Sequence, residues 1–447
     1  MSSDAIGRAP LAPSLPRLGL ADTCGVLAGV VAPNFAKGPI IRRPWMVALA
    51  ERLDLDRRAV RRLQRLRARH GSGPLMLRLP GRSQAVLLDP AHVRRVLDGS
   101  PEPFATASSE KRAALAHFQP EGVLISHGHA RAQRRRLNEA ALDTDRPCHR
   151  LASVFTQAVR REAEVLMSGA DAEGTFGWHA FHDAWFAGVR RIVLGEGARN
   201  DRDLTEQLDR LRRDANWAFM KPRRTRLRRC FESRLRSHLA RAEPDSIAGL
   251  LAGMATGRDA APAGQVPQWL FAFDAAGIAT LRALALLAAH PDALRRAADE
   301  AAAAEPVLPF LRACLLESVR LWPTTPMILR ETTRDVAWDS AIMPKGTGIL
   351  ILVPFLQRDD ERLPFANRFA PELWMDADAA ERWMLAPFSA GPAVCPGRNL
   401  VLLLASHMLA ALVQGGWTDA VGFRLDPDRP LPATLDHLKL RFGEARC

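Results

Sequence analysis

A cysteine near the end of the chain, Cys395, lies in a pattern of fixed positions that dictates much of the local structure. Residues 388–400 read FSAGPAVCPGRNL, so Phe388, Gly391 and Gly397 flank the cysteine at set distances. Glycine permits a tight turn or a close approach of the backbone, and the proline after the cysteine restricts it to an extended conformation. The apolar run that follows predicts a buried helix. Backbone N–H donors and a helix N-terminus stabilise a thiolate, so the pattern favours a held thiolate over one more buried thiol.

The spacing Phe-x-x-Gly-x-x-x-Cys-x-Gly-x-x-Leu resembles the haem-binding loop of the cytochrome P450 family. The resemblance implies that Cys395 is the proximal ligand of the iron of haem b (iron protoporphyrin IX). It also implies that Phe388, Gly391 and Gly397 belong to the cofactor site. The fold expected from it is mainly α with small β-sheet regions, the cytochrome P450 fold, over roughly residues 50–447.

The 447-residue chain shows no linker and no internal repeat. We therefore predict a flexible N-terminal tail over residues 1–16, which contain three prolines, and a single catalytic domain over residues 17–447. Six scattered cysteines indicate a reduced, cytoplasmic protein. The apolar run at residues 26–33 is too short to cross a membrane. The net charge of +13 comes without any nucleic-acid-binding motif, so we expect neither a membrane span nor nucleic acid.

A second motif lies in residues 308–323, LPFLRACLLESVRLWP. Glu317 and Arg320 are three residues apart, so they share a helix face and can pair. The Glu-x-x-Arg pair of the cytochrome P450 family meets a further arginine downstream, and the resemblance assigns that position to Arg368. Because buried charges must be paired, we predict that the three residues are structural.

Basic residues in two distant stretches of the chain, around residue 130 and at residue 330, match positions that bind haem propionates in the family. The resemblance implies a His and an Arg shortly after residue 123, and we assign His129 and Arg134, although their spacing is one residue longer than the common one. Arg330 matches a second propionate ligand. Arginine suits this role because its planar fork pairs two oxygens and remains charged when buried. A solvated basic face over residues 127–136 is the alternative.

Residues 268–290 are almost uncharged, which predicts a buried central helix. The resemblance implies that this helix crosses the distal haem face and carries an acid followed by a threonine. Counting back from the end of the helix without gaps assigns Asp274 as the acid and Ala275 to the threonine position. A gapped alignment would instead use Thr280 and lose the acid. We prefer the ungapped alignment, which leaves the oxygen-activating position without a hydroxyl.

The resemblance also indicates residues of the substrate pocket. They are Phe271 on the central helix, Met327 and Ile328 in the proline-bearing stretch after Glu-x-x-Arg, and Thr434 in the final turn.

Local patterns predict the smaller elements. An amphipathic helix is expected over residues 51–69, and two short strands over 75–79 and 85–88. Residues 344–347, PKGT, predict a turn that joins a hairpin whose second strand is 349–353.

The resemblance implies a haem-thiolate monooxygenase that inserts one oxygen atom from O2 into a small hydrophobic organic substrate. No dinucleotide-binding fingerprint is present, so electrons from NAD(P)H would come through a ferredoxin and its reductase, or a flavodoxin-type partner. Two alternatives stay open. One is a peroxide-driven peroxygenase or oxidative coupling enzyme of the same fold, and the other is a haem-binding sensor without turnover.

Overall fold

The computed structural model describes residues 15–303, 305–376 and 378–445. Most of these residues are helical. The α-helices, in chain order, are α1 Leu20–Val26, α2 Ala32–Ala36, α3 Pro44–Arg52, α4 Leu55–His70, α5 Pro90–Asp98, α6 Ser109–Leu115, α7 Gly128–Ala141, α8 Ala152–Ser168, α9 Trp178–Leu194, α10 Arg202–Ala215, α11 Thr225–Arg241, α12 Ile247–Ala252, α13 Pro262–Ala289, α14 Pro291–Ala302, α15 Pro309–Leu321, α16 Val353–Arg358, α17 Ala379–Arg382 and α18 Arg398–Gln414.

Within the described ranges, short strands form three small sheets. The strands are β1 Leu75–Met76, β2 Gln84–Val86, β3 Phe104–Ala105, β4 Thr175–Gly177, β5 Met327–Thr332, β6 Val336–Trp338, β7 Ala341–Met343, β8 Gly348–Leu352, β9 Asp419–Ala420 and β10 Arg441–Gly443. The largest sheet has the order β1-β2-β8-β5-β3, and only the β2–β8 pair is parallel. The predicted fold, mainly α with small β-sheet regions, is confirmed.

The start of the described chain is packed, which corrects the predicted tail. Leu15 is buried in the core of the largest sheet, and the carbonyl of Pro16 accepts a hydrogen bond from the Met76 N–H at 2.8 Å. The tail therefore cannot extend through residue 16. Residues 1–14 lie outside the described residues, and the single catalytic domain stays a prediction.

The hairpin predicted at residues 344–347 is wrong. A turn is present, with Gly346 at φ +76°, but the strands on its two sides do not pair with each other. β7 pairs with β6, whereas β8 lies between β2 and β5. The buried side chains along all of β8 require neighbours on both faces and both edges, and the distant strands supply them.

The central helix α13 is the longest helix described and begins six residues before the predicted start. Pro262 occupies its first turn, where the missing N–H costs nothing. Among the described residues α13 alone is long and apolar enough to cross a membrane by those two criteria, but 78% of its most apolar window is buried inside the protein. It packs against α9, α15 and α18, so it forms the centre of the largest apolar cluster.

Candidate cofactor and active site

The cysteine loop is shaped by one glycine whose side chain must be absent. Gly391 has φ +66° and begins a single 3-10 turn, Gly391–Ala393. A Cβ built on it would lie 2.3 Å from the carbonyl oxygen of Leu97 in α5, so any other residue would force the two segments apart. The N–H of Cys395 then donates to the carbonyl of Phe388 at 3.0 Å, which closes the loop. Phe388 itself packs against the main apolar cluster.

Gly397 is the N-cap of α18 and has φ −92°, a conformation open to any residue. A Cβ there would meet only Leu142, at an ordinary 3.5 Å. Among the described residues, therefore, no close contact requires glycine at this position, and its place in the cofactor site stays a prediction.

The Cys395 thiol is free, and the residue is half-buried. We call the region between the cysteine loop and the guanidinium of Arg330 the cleft. Burial raises the pKa of the Cys395 thiol. The Gly397 N–H and the positive charges of Arg135 and Arg398 oppose that rise and favour the thiolate. Arg135 is fixed nearby because its Nη1 donates to the carbonyl of Val394 at 2.6 Å.

Arg330, on β5, is a buried cation that contacts this loop. Its Nε donates to Ser100 Oγ at 2.9 Å, and its Nη2 lies 3.3 Å from Ser389 Oγ in the cysteine loop. The side chain is almost fully buried. Burial lowers the pKa of Arg330 to about 10, and repulsion from Arg131 adds to the effect. The guanidinium therefore remains charged at neutral pH.

Two further cations accompany Arg330, and the sequence analysis missed both. Arg131 has a buried Nε without a hydrogen-bond partner in the described part of the chain, and burial lowers its pKa. Lys111 donates to the carbonyl of Leu329 at 3.1 Å, and burial together with Arg330 holds its pKa well below the usual value. Within the described ranges none of the three forms an ion pair with a carboxylate. One buried and two half-buried cations, none paired with a carboxylate in the described ranges, fit the two propionates of haem b.

Arg134 and His129, the predicted propionate ligands, contact Asp259 and not the cations around Arg330. Arg134 Nε donates to the carbonyl of Asp259 at 3.1 Å, and the ring of His129, 75% exposed, lies 3.3 Å from the Asp259 carboxylate. Both side chains are turned toward the loop before α13. Arg131, three residues before Arg134, is instead close enough to Arg330 for its charge to lower the pKa of Arg330. The signal was present in the sequence, because His127 and Arg131 have the shorter spacing that the family pattern requires.

One face of α13 is accessible while most of the helix is buried. Gln268, Phe271, Ala272 and Ala275 are half-buried and are spaced i, i+3, i+4, i+7, so they form one stripe. Thr280 is fully buried, and its Oγ1 donates to the carbonyl of Ala276 at 2.8 Å. The accessible stripe therefore contains Ala275 and excludes the Thr280 hydroxyl, which supports the ungapped alignment.

Asp274 is held by an arginine from another helix. Arg212 of α10 donates to its Oδ2 at 2.5 Å and to Asp209 at 2.8 Å. The guanidinium of Arg212 also lies over the ring of Phe271, 4.8 Å from its centre. Burial alone would raise the pKa of Asp274, but Arg212 and His182 bring it below the usual value. Asp274 is thus an anchored carboxylate.

Glu317 and Arg320 form the fully buried ion pair that the sequence predicts. Arg320 Nε and Nη2 donate to the two carboxylate oxygens at 2.7 and 2.6 Å. The Arg368 side chain does not join them: it is exposed, and only its carbonyl accepts a bond from Arg320, at 2.8 Å. The Glu317 carboxylate also accepts hydrogen bonds from the Ala370 N–H and from Trp374 Nε1, both at 2.9 Å.

The predicted pocket residues divide into two groups. Phe271 lies on the accessible stripe, and Thr434 lines a cavity beside α13. Met327 and Ile328 alternate across β5 and pack in two different apolar clusters. The cavity wall is instead formed by Thr324 and Pro326, just before them.

The fold and the cleft define a class: a mostly helical protein whose cysteine loop opens onto a buried cationic site. Comparison with known proteins agrees. The family model "Cytochrome P450" matches residues 272–415. Probable cytochrome P450 4s3 of Drosophila melanogaster is 30% identical over 167 residues, 36% of this chain and 32% of that protein. Beta-amyrin 24-hydroxylase of Glycine max is 33% identical over 118 residues, 24% of this chain and 22% of that protein. The chain thus covers a third or less of these relatives' length.

Solved structures extend the likeness to nearly the whole chain. CYP175A1 from Thermus thermophilus superposes with a TM-score of 0.65 at 20% identity, covering 92% of this chain and 94% of that one. A 6-coordinated cytochrome P450 from another strain of Thermus thermophilus gives 0.61 at 22% identity, covering 86% and 97%. At these identities the structures show a shared fold. The chain thus has the cytochrome P450 fold, and its residues 272–415 match the cytochrome P450 family model.

Proposed function

We propose that this protein is a haem-thiolate monooxygenase that inserts one oxygen atom from O2 into a small hydrophobic organic substrate. The observation that carries the proposal is the half-buried, free Cys395 thiol in a loop that contacts Arg330, a buried cation without a carboxylate partner among the described residues. The Ser389 hydroxyl contacts Arg330, and Arg135, one turn beyond Arg131, contacts Val394. Arg330 and Arg135 therefore both lie beside the cysteine loop.

Each residue of the cleft has a defined task in this proposal. Cys395 would hold the iron of haem b, and Arg131, Arg330 and Lys111 would bind the propionates. When bound, haem with a thiolate ligand supplies redox chemistry in which electron density on iron favours O–O cleavage. The stripe around Phe271 and Ala275 would present an apolar surface to the substrate. Asp274 is fixed by Arg212, so any proton that reaches the site through it must pass through that ion pair or ordered water.

We also propose that electrons from NAD(P)H arrive through a separate partner, a ferredoxin with its reductase or a flavodoxin-type protein. Arg136 and Arg398 are exposed beside the cysteine loop and would attract an acidic partner. A cytoplasmic location is part of the proposal. It is supported by the described cysteines, five of the six, all of which are free thiols.

Reconstituted turnover tests this function. Ligands are first found by screening small hydrophobic compounds for a spin-state shift of the bound haem. With ferredoxin and reductase added, a monooxygenase should consume NAD(P)H in a substrate-dependent manner and release an oxygenated product. Product formed only with hydrogen peroxide would contradict the proposal and support the peroxygenase alternative. That alternative is favoured by one observation, the absence of a hydroxyl at Ala275 on the accessible stripe.

The Ala275→Thr substitution should improve the coupling of NAD(P)H consumption to product for simple apolar substrates. The new hydroxyl would stand on the accessible stripe, where it can donate or hold a water. Thr280→Ala is the matched control and should change coupling little, because that hydroxyl is bonded within its own helix. Product formed per NAD(P)H is the measurement. A collapse of coupling in Thr280→Ala with no change in Ala275→Thr would restore the gapped alignment.

The Arg131→Gln substitution should weaken haem retention about 10- to 100-fold, because it removes one charged hydrogen bond to a buried carboxylate. The measurement is the rate of haem transfer to excess apomyoglobin. Arg134→Gln, three residues away on the same helix, should leave the rate unchanged because Arg134 is bonded to Asp259. Equal effects in the two variants would contradict the reassignment.

A further inference from the structure

A small cavity continues the accessible stripe of α13 toward its C-terminal end. Ile278, three residues after Ala275, lies in its wall, so the cavity begins about one helical turn from the oxygen-activating position. Thr324 and Thr434 line the other sides. Its volume is about 40 Å³. One water needs about 10–15 Å³, so a head group of two or three polar atoms fits.

The charges in the cavity wall do not balance. Among the described residues three cations line it, Lys37, Arg42 and Arg282, against the single carboxylate of Asp56. Lys37 pairs with Asp56 at 2.5 Å, and Asp56 also accepts from Thr434. This ion pair uses the one negative charge that the described residues contribute to the wall. Two guanidinium charges therefore remain without a counter-charge in the lining.

The two guanidinium groups are positioned by backbone carbonyls, which orient them without neutralising them. Arg282 donates to the carbonyl of Leu435 at 3.1 and 2.6 Å and to that of Trp322 at 3.1 Å. Arg42 donates to the carbonyl of Gly38 at 2.9 Å and to that of Thr324. Burial lowers the pKa of Arg282 to about 10, so it stays charged at neutral pH.

Two acids near the wall pair with cations outside it. Asp274 pairs with Arg212, and Glu51 pairs with Lys439. Asp436 does not line the cavity, but its charge acts on Arg282 and favours the charged guanidinium. Even with Asp436 included, the three cations of the wall exceed the two carboxylates, Asp56 and Asp436.

An unpartnered histidine provides independent support. His437 lines the cavity and is 4% exposed, and its Nδ1 has no hydrogen-bond partner in the described part of the chain. A buried polar atom without a partner costs free energy unless a ligand satisfies it. Burial and the nearby arginines hold the pKa of His437 well below its usual value, so the ring is neutral. A neutral imidazole can donate one hydrogen bond to an anion.

We infer that this cavity binds the anionic head group of the substrate, and that the substrate class is a small hydrophobic carboxylic acid. The inference deepens the proposed function and rests on it. Arg42, Arg282 and the His437 ring would hold the carboxylate, while the apolar part of the acid extends along the Phe271–Ala275 stripe. A carboxylate anchored one turn from Ala275 also places a polar group of the substrate near the position that lacks a hydroxyl.

Matched ligands test the inference by isothermal titration calorimetry on the haem-loaded protein. Decanoate, below its critical micelle concentration, should bind at least about 10-fold more tightly than methyl decanoate, because only the acid forms charged hydrogen bonds. Arg42→Gln should reduce this preference to about threefold or less, without changing the affinity for the ester. Arg42→Lys should retain part of the preference, since it keeps the charge. Arg43→Gln is the matched control, because Arg43 lies over Trp217 outside the cavity.

Equal binding of acid and ester by the wild-type protein would overturn the inference, and this comparison needs no variant. Loss of the preference in Arg43→Gln to the same extent as in Arg42→Gln would also overturn it, since the cause would then be the general positive charge of the protein. The outcome is separable from the proposed function. A thiolate-ligated haem without a preference for the acid removes only the cavity assignment, whereas a preference for the acid without thiolate ligation removes only the monooxygenase.

Discussion

The Cys395→Ala variant is expected to lose entirely the far-red-shifted Soret band that marks thiolate ligation in the reduced carbon monoxide adduct. Among the described cysteines Cys395 alone combines access to the cleft with an N–H donor and nearby positive charge. Cys314 is its opposite, because burial among acidic residues raises its pKa well above the usual value. The band is recorded after reduction under carbon monoxide. Cys395→His should abolish it as well, since imidazole replaces sulfur.

A cysteine elsewhere provides the control for this experiment. Cys230 is exposed on α11 and contributes nothing to the cleft, so Cys230→Ala should keep the band at full intensity. If Cys395→Ala retains the band, another cysteine is the ligand and the assignment is wrong. Cys447, which lies outside the described residues, would then be the first to test. Turnover should fall to background together with the band, because the proposed reaction depends on the thiolate.

The motifs that the sequence predicted well are local. Glu317 and Arg320 lie within one helical turn, so their pairing follows from spacing alone. Gly391 and Cys395 belong to one loop, and the positive φ of the glycine follows from the turn that the loop makes. In both cases the physical cause lies within a few residues of the motif.

The choice between Arg131 and Arg134 depended on partners far away in the chain. Four arginines occur between residues 131 and 136, and helix periodicity does not separate them by function. What separates them is the carbonyl of Asp259, which engages Arg134 from 125 residues away, and Arg330, which faces Arg131. The hairpin failed for the same reason: the turn was read correctly, but β8 pairs with β2 and β5. Long-range pairing overrode the local signal.

The cationic cavity could not have been predicted from local patterns at all. Arg42, Asp56, Arg282 and His437 come from four separate segments, and each alone resembles an ordinary charged or capping residue. Only the fold shows that three cations line one cavity together with a single carboxylate of the described residues. An excess of positive charge in a cavity wall arises from residues that are distant in sequence. It can therefore be recognised as a candidate binding site only in the folded structure.

The Glu317→Gln and Arg320→Leu variants are expected to lose about 3–5 kcal/mol of the free energy of unfolding, because each leaves a buried charge without its partner. Both side chains are fully buried. Arg320 also donates to the carbonyls of Gln357, Ala366 and Arg368, so it connects α15 to α16 and to the loop that follows α16. A loss of this size is a large fraction of the roughly 5–15 kcal/mol that stabilises a folded protein. We expect insoluble or haem-free protein, measured as the midpoint of urea unfolding and as haem content after purification.

Arg368→Leu separates the ion pair from the wider motif. The family pattern alone would predict the same collapse for this variant. The structure predicts a change within about 0.5 kcal/mol, because the Arg368 guanidinium is exposed and only its backbone carbonyl meets Arg320. Arg368→Leu should keep a normal haem content and an unchanged unfolding midpoint, whereas Arg320→Leu should lose both. That result would show that the hydrogen bonds from Trp374 and Ala370, without the Arg368 side chain, satisfy Glu317. A loss in Arg368→Leu as large as in Arg320→Leu would return Arg368 to the buried cluster.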